Sequence, residues 1–342
     1  MTGMIIRKIA YPRAALIGNP SDGYHGKTIA FVFRNFHAEI MLYETPELVL
    51  MPTMRDNTVF SSLQALSSDV KQYGYYGGIR LMKAAVKKFH DYCLANHISL
   101  PEKNFTMRYM SDIPNRLGLA GSSALITAAM RAMFAFYELS ISPARLASLV
   151  LAAEREELDI PAGLQDRVAQ AYNEPVFMDF QKEYMEEHGV GKYERFDLPD
   201  HLNLFIAYRT DLAEGSEVLH SRLREEYNAG KKEVLDAMKE WAFLTEEMRK
   251  AVKEDDREKI AHLINRNFDL RCEVCASSVS TKNRRMVELA RSVGASAKLT
   301  GSGGAIIGSY KDEKMYKQLA SLLKENDIET LKPLIVRSGG EE

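Results

Sequence analysis

Pro114-Asn115-Arg116-Leu117-Gly118-Leu119-Ala120-Gly121-Ser122-Ser123-Ala124 runs straight into an apolar segment, Ala124 to Tyr137, whose Leu125, Ala128, Ala132 and Phe136 fall on one helical face. A glycine- and serine-rich loop that feeds a helix presents backbone N–H groups without helical partners, and the helix dipole adds partial positive charge at the same end. An anion is favoured there. Glycine lets the backbone approach phosphate oxygens closely, and serine hydroxyls bond phosphate or ligate magnesium. The loop is not a Walker loop, because no Gly-Lys-Ser/Thr ends it. It is not a Rossmann turn either, because the GxGxxG spacing is absent. The structural alternative is a tight turn with a serine helix cap.

Outward from this loop the pattern is α+β, with strands and helices in both halves. Upstream, Ile5 to Ile9, Ala14 to Ile17, Thr28 to Phe33 and Ala38 to Tyr43 read as strands, with a turn cluster at Gly18 to Gly23. A helix is expected over Ile79 to Asn96 and a strand over Phe105 to Met110. Downstream, helices are expected over Pro143 to Leu158 and Leu164 to Tyr172, then a strand over Val176 to Phe180. The polar stretch Glu183 to Lys192 is the expected boundary between an N-terminal domain, 1–192, and a C-terminal domain, 193–342. Beyond it come a strand at Asn203 to Tyr208, long charged helices over Ser216 to Asn228, Lys231 to Lys253 and Arg257 to Ala276, and a second glycine loop after Lys298. A strand at Ala305 to Tyr310, a helix at Lys314 to Asn326 and a final strand at Leu331 to Val336 complete the reading.

Composition narrows the classes. With 342 residues, 46 % hydrophobic and 27 % charged, two ordinary globular domains are expected. A formal net charge of -2 carries no basic footprint for nucleic acid. The longest apolar runs are too short to span a bilayer, and Met1 to Lys8 lacks a secretory apolar stretch, so a cytoplasmic protein is expected. The three cysteines, Cys93, Cys272 and Cys275, do not suggest a disulfide framework. Cys272 and Cys275 have CxxC spacing inside a helical run and read as neighbouring helix-core thiols, since no second pair completes a zinc site.

The loop at 114–124 resembles the second signature of the GHMP kinases. Two further segments match that family in order: Arg13 to Asp22 resembles its first signature, and Lys298-Leu299-Thr300-Gly301-Ser302-Gly303-Gly304-Ala305 its third. Ala162-Gly163-Leu164-Gln165-Asp166-Arg167 resembles the heptose, fucose and glucuronate kinase branch, as do Gly18 to Asp22, Tyr75 to Leu81, Met178 to Phe180 and Asn267 to Arg271. The resemblance implies a two-domain GHMP kinase fold. An N-terminal domain like ribosomal protein S5 domain 2 would hold the phosphate loop, and a ferredoxin-like C-terminal domain would bring the third loop to a cleft between the two. It implies an ATP- and Mg²⁺-dependent sugar kinase, with D-glucuronate as the favoured acceptor and D-glucuronate 1-phosphate as product. A kinase for a heptose phosphate or fucose is the alternative. A sugar-binding regulator without catalysis is a further one, opposed by the joint presence of Ser123, Glu154 and Asp166.

Phosphoryl transfer needs charge neutralisation and in-line positioning. By resemblance the ATP phosphates fall to Pro114, Gly118, Leu119, Ala120, Gly121, Ser122, Ser123, Gly301 and Gly303, and magnesium to Ser123 with Glu154, Glu157 being the alternative carboxylate. Asp166 is the expected base for the acceptor hydroxyl, its alternative being a structural pair with Arg167. Where many relatives carry a lysine, this chain has Arg13, which stays protonated and acts as an electrostatic partner. Asn19, Ser21, Asp22 and Tyr76 are expected at the sugar or nucleotide, and Arg13, Arg80 and Arg167 are candidate readers of a substrate carboxylate.

Overall fold

The structure is a computed structural model and describes residues 5–53, 56, 59–67, 77–115, 117–199, 201–209, 217–276 and 279–337. The chain forms two compact units that interleave along the sequence. The first takes Met1–Pro12, Phe36–Asn115 and Ala120–Ala171; the second takes Arg13–Asn35, Arg116–Leu119 and Tyr172–Glu342.

In the first unit, strands Ile6–Ala10, Ala38–Thr45, Asn104–Ser111 and Val49–Leu50 lie in that order across one sheet. The first three pair antiparallel; the short last strand runs parallel to its neighbour. Helix Gly121–Phe136 packs on this sheet, and helices Gly78–Ala95 and Pro143–Glu156 pack on it in turn. Small and apolar residues all round explain its central place: Ala124, Ala128, Ala129, Ala132, Ile126 and Met133 are buried. On Gly78–Ala95 the buried Leu81, Ala85, Phe89 and Cys93 recur every four residues, a single inward stripe. Pro143–Glu156 begins at Ser142, whose side chain accepts from the Arg145 N–H, with Pro143 in the first turn.

The second unit holds two sheets. One orders Arg13–Ile17, Lys27–Val32, Val176–Asp179 and Lys192–Arg195, all antiparallel. The other orders Lys298–Leu299, Ala305–Ser309, Leu204–Arg209 and Ile328–Leu331, again antiparallel. Helices including Arg257–Val274 and Thr281–Ser292 connect Leu204–Arg209 to Lys298–Leu299, and Glu313–Lys324 connects Ala305–Ser309 to Ile328–Leu331. That order and connectivity are the ferredoxin-like arrangement expected. Its core gathers Phe205, Phe268, Met286, Leu289, Ile306, Leu319, Leu323 and Ile328.

The polar stretch at 183–192 carries regular structure of its own. It forms a short helix, Lys182–His188, closed by Gly189 in the left-handed region, and an edge strand from Lys192. The final strand lies earlier than expected, at Ile328–Leu331, because Pro333 has no N–H to extend the ladder; Ile335 makes only an isolated bridge to Phe33. Cys272 and Cys275 are free thiols at the end of Arg257–Val274, as expected. No helix of the described residues is long and apolar enough to cross a membrane.

Candidate active site

The second unit assembles both glycine loops around the start of one strand. The Arg13 N–H donates to Leu119 O at 3.0 Å, and the Ala15 N–H donates to Thr300 O at 3.1 Å. Arg13 Nη1 then donates to Thr300 O at 2.5 Å and to Gly118 O at 3.4 Å. Gly118 has φ 64°, and a Cβ on it would sit 2.8 Å from Gly303 O; a Cβ on Gly301 would sit 2.6 Å from Gly118 O. The two loops therefore meet backbone to backbone at a distance only glycine allows. Asn283 Oδ1 accepts from the Gly304 N–H at 2.9 Å and pins the far side of the third loop.

Two further cations, outside the expected site residues, stand behind these loops. Arg271 donates from Nη1 to Gly301 O at 2.8 Å and from Nη2 to Ser302 O at 3.1 Å. Lys298 Nζ donates to Ala15 O at 2.6 Å and Leu299 O at 3.0 Å. Both are buried, and neither has a carboxylate partner among the described residues. Burial pushes the Arg271 guanidinium down to about 10. Burial first, then the charges of Arg271 and Arg13, push the Lys298 ammonium well below its ordinary value. Their sequence signals were weak: each lay in a family-like run but read locally as helix or strand.

The turn after Arg13 is held by Asn267, whose Oδ1 accepts from the Gly18 N–H at 2.7 Å and whose Nδ2 donates to Asn19 O at 3.1 Å. Asn19 Nδ2 donates to Leu299 O at 3.4 Å, and the Ser21 hydroxyl donates to Lys27 O at 3.1 Å. Asp22 lies in the 3-10 turn Ser21–Tyr24, half-buried.

In the first unit the chain leaves Pro114 and re-enters at Ala120, which adopts a left-handed φ of 61° before Gly121, Ser122 and Ser123 open the helix. Gln170 Nε2 donates to Ala120 O at 2.9 Å and to Tyr11 O at 3.1 Å, fixing that bend. The Ser123 hydroxyl donates to Glu154 Oε1 at 3.0 Å. Glu154 Oε2 accepts from Arg167 Nε at 2.5 Å and pairs with Nη2 of the same fork. Arg167 Nη1 donates to Gly163 O at 2.9 Å and lies 3.1 Å from Asp166 Oδ2. Burial holds the Glu154 carboxyl above the usual carboxylate range despite Arg167. Glu157 is elsewhere occupied: it pairs with Lys88 and Lys87, which hold its carboxyl below the usual range. Arg80 Nη2 donates to Leu158 O at 2.8 Å. An open cleft of about 820 Å³, lined by Leu50, Ile79 and Val86 among others, runs along helix Gly78–Ala95. Tyr76 lies outside the described residues.

Oxygen donors alone make up the Ser123–Glu154 pair, with no group of three or more His, Cys, Asp or Glu gathered among the described residues. That fits magnesium, which takes one or two carboxylates and completes its shell with water and phosphate oxygens.

The first unit thus holds the Ser123–Glu154–Arg167–Asp166 chain, and the second holds the paired glycine loops. Residues 80–174 match the family described as GHMP kinases N terminal domain, and residues 248–327 match GHMP kinases C terminal. The chain is 40 % identical over 302 residues to Glucuronokinase 1 of Arabidopsis thaliana, covering 87 % of this chain and 83 % of that one. It is 41 % identical over 303 residues to Probable glucuronokinase 2 of the same organism, with 87 % and 82 % covered. Among solved structures, Streptococcus pneumoniae phosphomevalonate kinase superposes with a TM-score of 0.75 at 13 % identity, over 96 % of this chain and 99 % of that one, a likeness of fold. The chain belongs to the GHMP kinase family and is a phosphotransferase that uses ATP.

Proposed function

We propose that this protein transfers the γ-phosphoryl group of ATP to the anomeric hydroxyl of D-glucuronate, giving D-glucuronate 1-phosphate and ADP. The observation that carries the choice of sugar is the 40 % identity to Glucuronokinase 1 across 87 % of the chain. The family matches fall on either side of residue 192, which supports treating 1–192 and 193–342 as the two functional halves.

The phosphates are received by the N–H groups of Gly118 to Ser123 and steadied by Gly301 and Gly303, with Pro114 leading into the loop. Backbone N–H groups at a helix start stabilise the charge that spreads over the phosphoryl oxygens. Mg²⁺ held by Ser123 and Glu154 neutralises phosphate charge when bound. Asp166 accepts the proton of the acceptor hydroxyl as its oxygen bonds to phosphorus and the bond to the β-phosphate oxygen breaks. Arg13, permanently charged, offsets negative charge in transfer. Asn19, Ser21 and Asp22 serve the sugar. The cleft between Leu48, Leu50 and Pro52 on one side and Ile79 and Val86 on the other suits a flat apolar base. ATP is the reason to assign the activity to the cytoplasm.

The test is ADP formation over a panel of D-glucuronate, D-glucose, L-fucose and a heptose phosphate, with and without excess EDTA. D-glucuronate gives the highest kcat/KM, and EDTA abolishes turnover. A faster neutral sugar or heptose phosphate overturns the substrate; full activity in EDTA overturns the metal.

A further inference from the structure

A uronate differs from a neutral hexose by one carboxylate, and a guanidinium fork is its natural reader. Resting on the proposed reaction, the question is which arginine has a fork to spend. Arg167 is spread over Glu154, Gly163 O and Asp166, and Arg13 and Arg80 donate to main-chain carbonyls. Arg224, on helix Glu217–Asn228, differs. Among the described residues no hydrogen bond or ion pair engages it; its guanidinium lies over the Tyr24 ring, 5.4 Å from the centroid. Tyr24 in turn packs on Tyr227 with centroids 4.9 Å apart, and the Tyr227 hydroxyl approaches Tyr24 O at 3.5 Å. A Cβ on Gly23 would lie 3.4 Å from Arg224 Nη2, so the guanidinium sits against the turn Ser21–Tyr24 that carries Asp22. Stacking on an aromatic face holds a guanidinium in plane while leaving its N–H edge open.

The same turn carries a second signal. Asn19 Oδ1 and the Tyr24 hydroxyl are buried and have no hydrogen-bond partner among the described residues. Buried polar atoms are nearly always satisfied, and an orphan marks a site completed by something else. The Tyr24 hydroxyl can donate to an anion and Asn19 Oδ1 can accept from a sugar hydroxyl, so this stretch and the Arg224 guanidinium packed against it carry the polar groups a uronate needs.

We propose that Arg224, seated on Tyr24, reads the carboxylate of the uronate substrate and so sets the preference for a uronic acid over a neutral hexose. No covalent step is involved; the residue acts through charge-assisted hydrogen bonds.

The experiment measures kcat/KM for D-glucuronate and D-glucose in the parent, Arg224→Met and Arg224→Lys. A lost charge-assisted bond corresponds to about 10- to 150-fold. Arg224→Met is expected to lose that factor on D-glucuronate, chiefly through KM, while D-glucose turnover and the KM for ATP stay within about twofold. Arg224→Lys recovers part of the loss by restoring charge without the fork. The side chain is half-exposed with no bond to break, so both variants fold, which thermal melting verifies. If Arg224→Met keeps the parent's ratio between the two sugars while the parent prefers D-glucuronate, this proposal is overturned and the proposed reaction stands. If the parent itself does not prefer D-glucuronate, the substrate reading falls and this proposal falls with it.

Discussion

The two units bury charge in opposite ways. In the first, the Ser123 hydroxyl donates to Glu154, and the Arg167 guanidinium then meets the carboxylates of both Glu154 and Asp166. In the second, Arg271 and Lys298 are as deeply buried, yet they donate only to main-chain carbonyls of Gly301, Ser302, Ala15 and Leu299. A buried pair is self-compensating, and removing one partner strands the other. A buried cation facing carbonyl dipoles keeps positive charge that no side chain cancels, which suits the proposed receipt of a polyphosphate by these loops. The first arrangement pairs its charges; the second leaves a positive field.

That contrast can be broken by substitution. The largest effect falls on chemistry. Asp166→Asn keeps the fold but lowers kcat by about 10²–10⁴-fold with nucleotide affinity little changed, as loss of a general base does. Turnover within a few-fold of the parent makes Asp166 a structural residue.

Next come the two buried sites compared directly. Glu154→Gln leaves Arg167 buried beside a neutral group and costs about 3–5 kcal/mol of stability without nucleotide, read by urea denaturation. Arg271→Met removes a desolvated charge together with two carbonyl partners; its net cost is smaller, about 1–3 kcal/mol, while its ATP affinity falls. Equal destabilisation by the two, or an unchanged Kd for ATP in Arg271→Met, removes the distinction between the units.

Gly118→Ala tests the loop contact. The left-handed φ of 64° and the 2.8 Å approach to Gly303 O both oppose a Cβ. Strain of about 1–3 kcal/mol is expected, with KM for ATP raised. An unaltered KM with an unaltered melting temperature contradicts the packed loops.

The smallest effect concerns pH. Because the folded state depresses the Lys298 pKa, the unfolded chain binds more protons between that depressed value and the ordinary lysine value of 10.5. Stability from this group is complete above 10.5 and is lost as pH falls through that window, with a slope of up to about 1.4 kcal/mol per pH unit. Lys298→Met should flatten the rise of stability in the alkaline range just below pH 10.5 by up to that slope; an identical profile argues against a desolvated amine.

Much of the site was legible in sequence because it is local. The loop from Gly118 to Ser123 declares itself through glycine, serine and the helix that follows, and Glu154 and Asp166 sit on segments whose helical period is plain. What was hidden is tertiary. Arg271 serves Gly301 and Ser302, and Lys298 serves Ala15, partners that no periodicity places together. Arg224 reads as one more charge on a polar helix until the Tyr24 ring is found beneath it.

Phosphorus NMR of ATP, Mg²⁺ and D-glucuronate with the purified protein tests the central claim most directly. The account predicts loss of the γ-phosphorus resonance with equal growth of a sugar phosphate resonance split by the anomeric proton. Growth of inorganic phosphate alone, or no loss of the γ resonance, contradicts it.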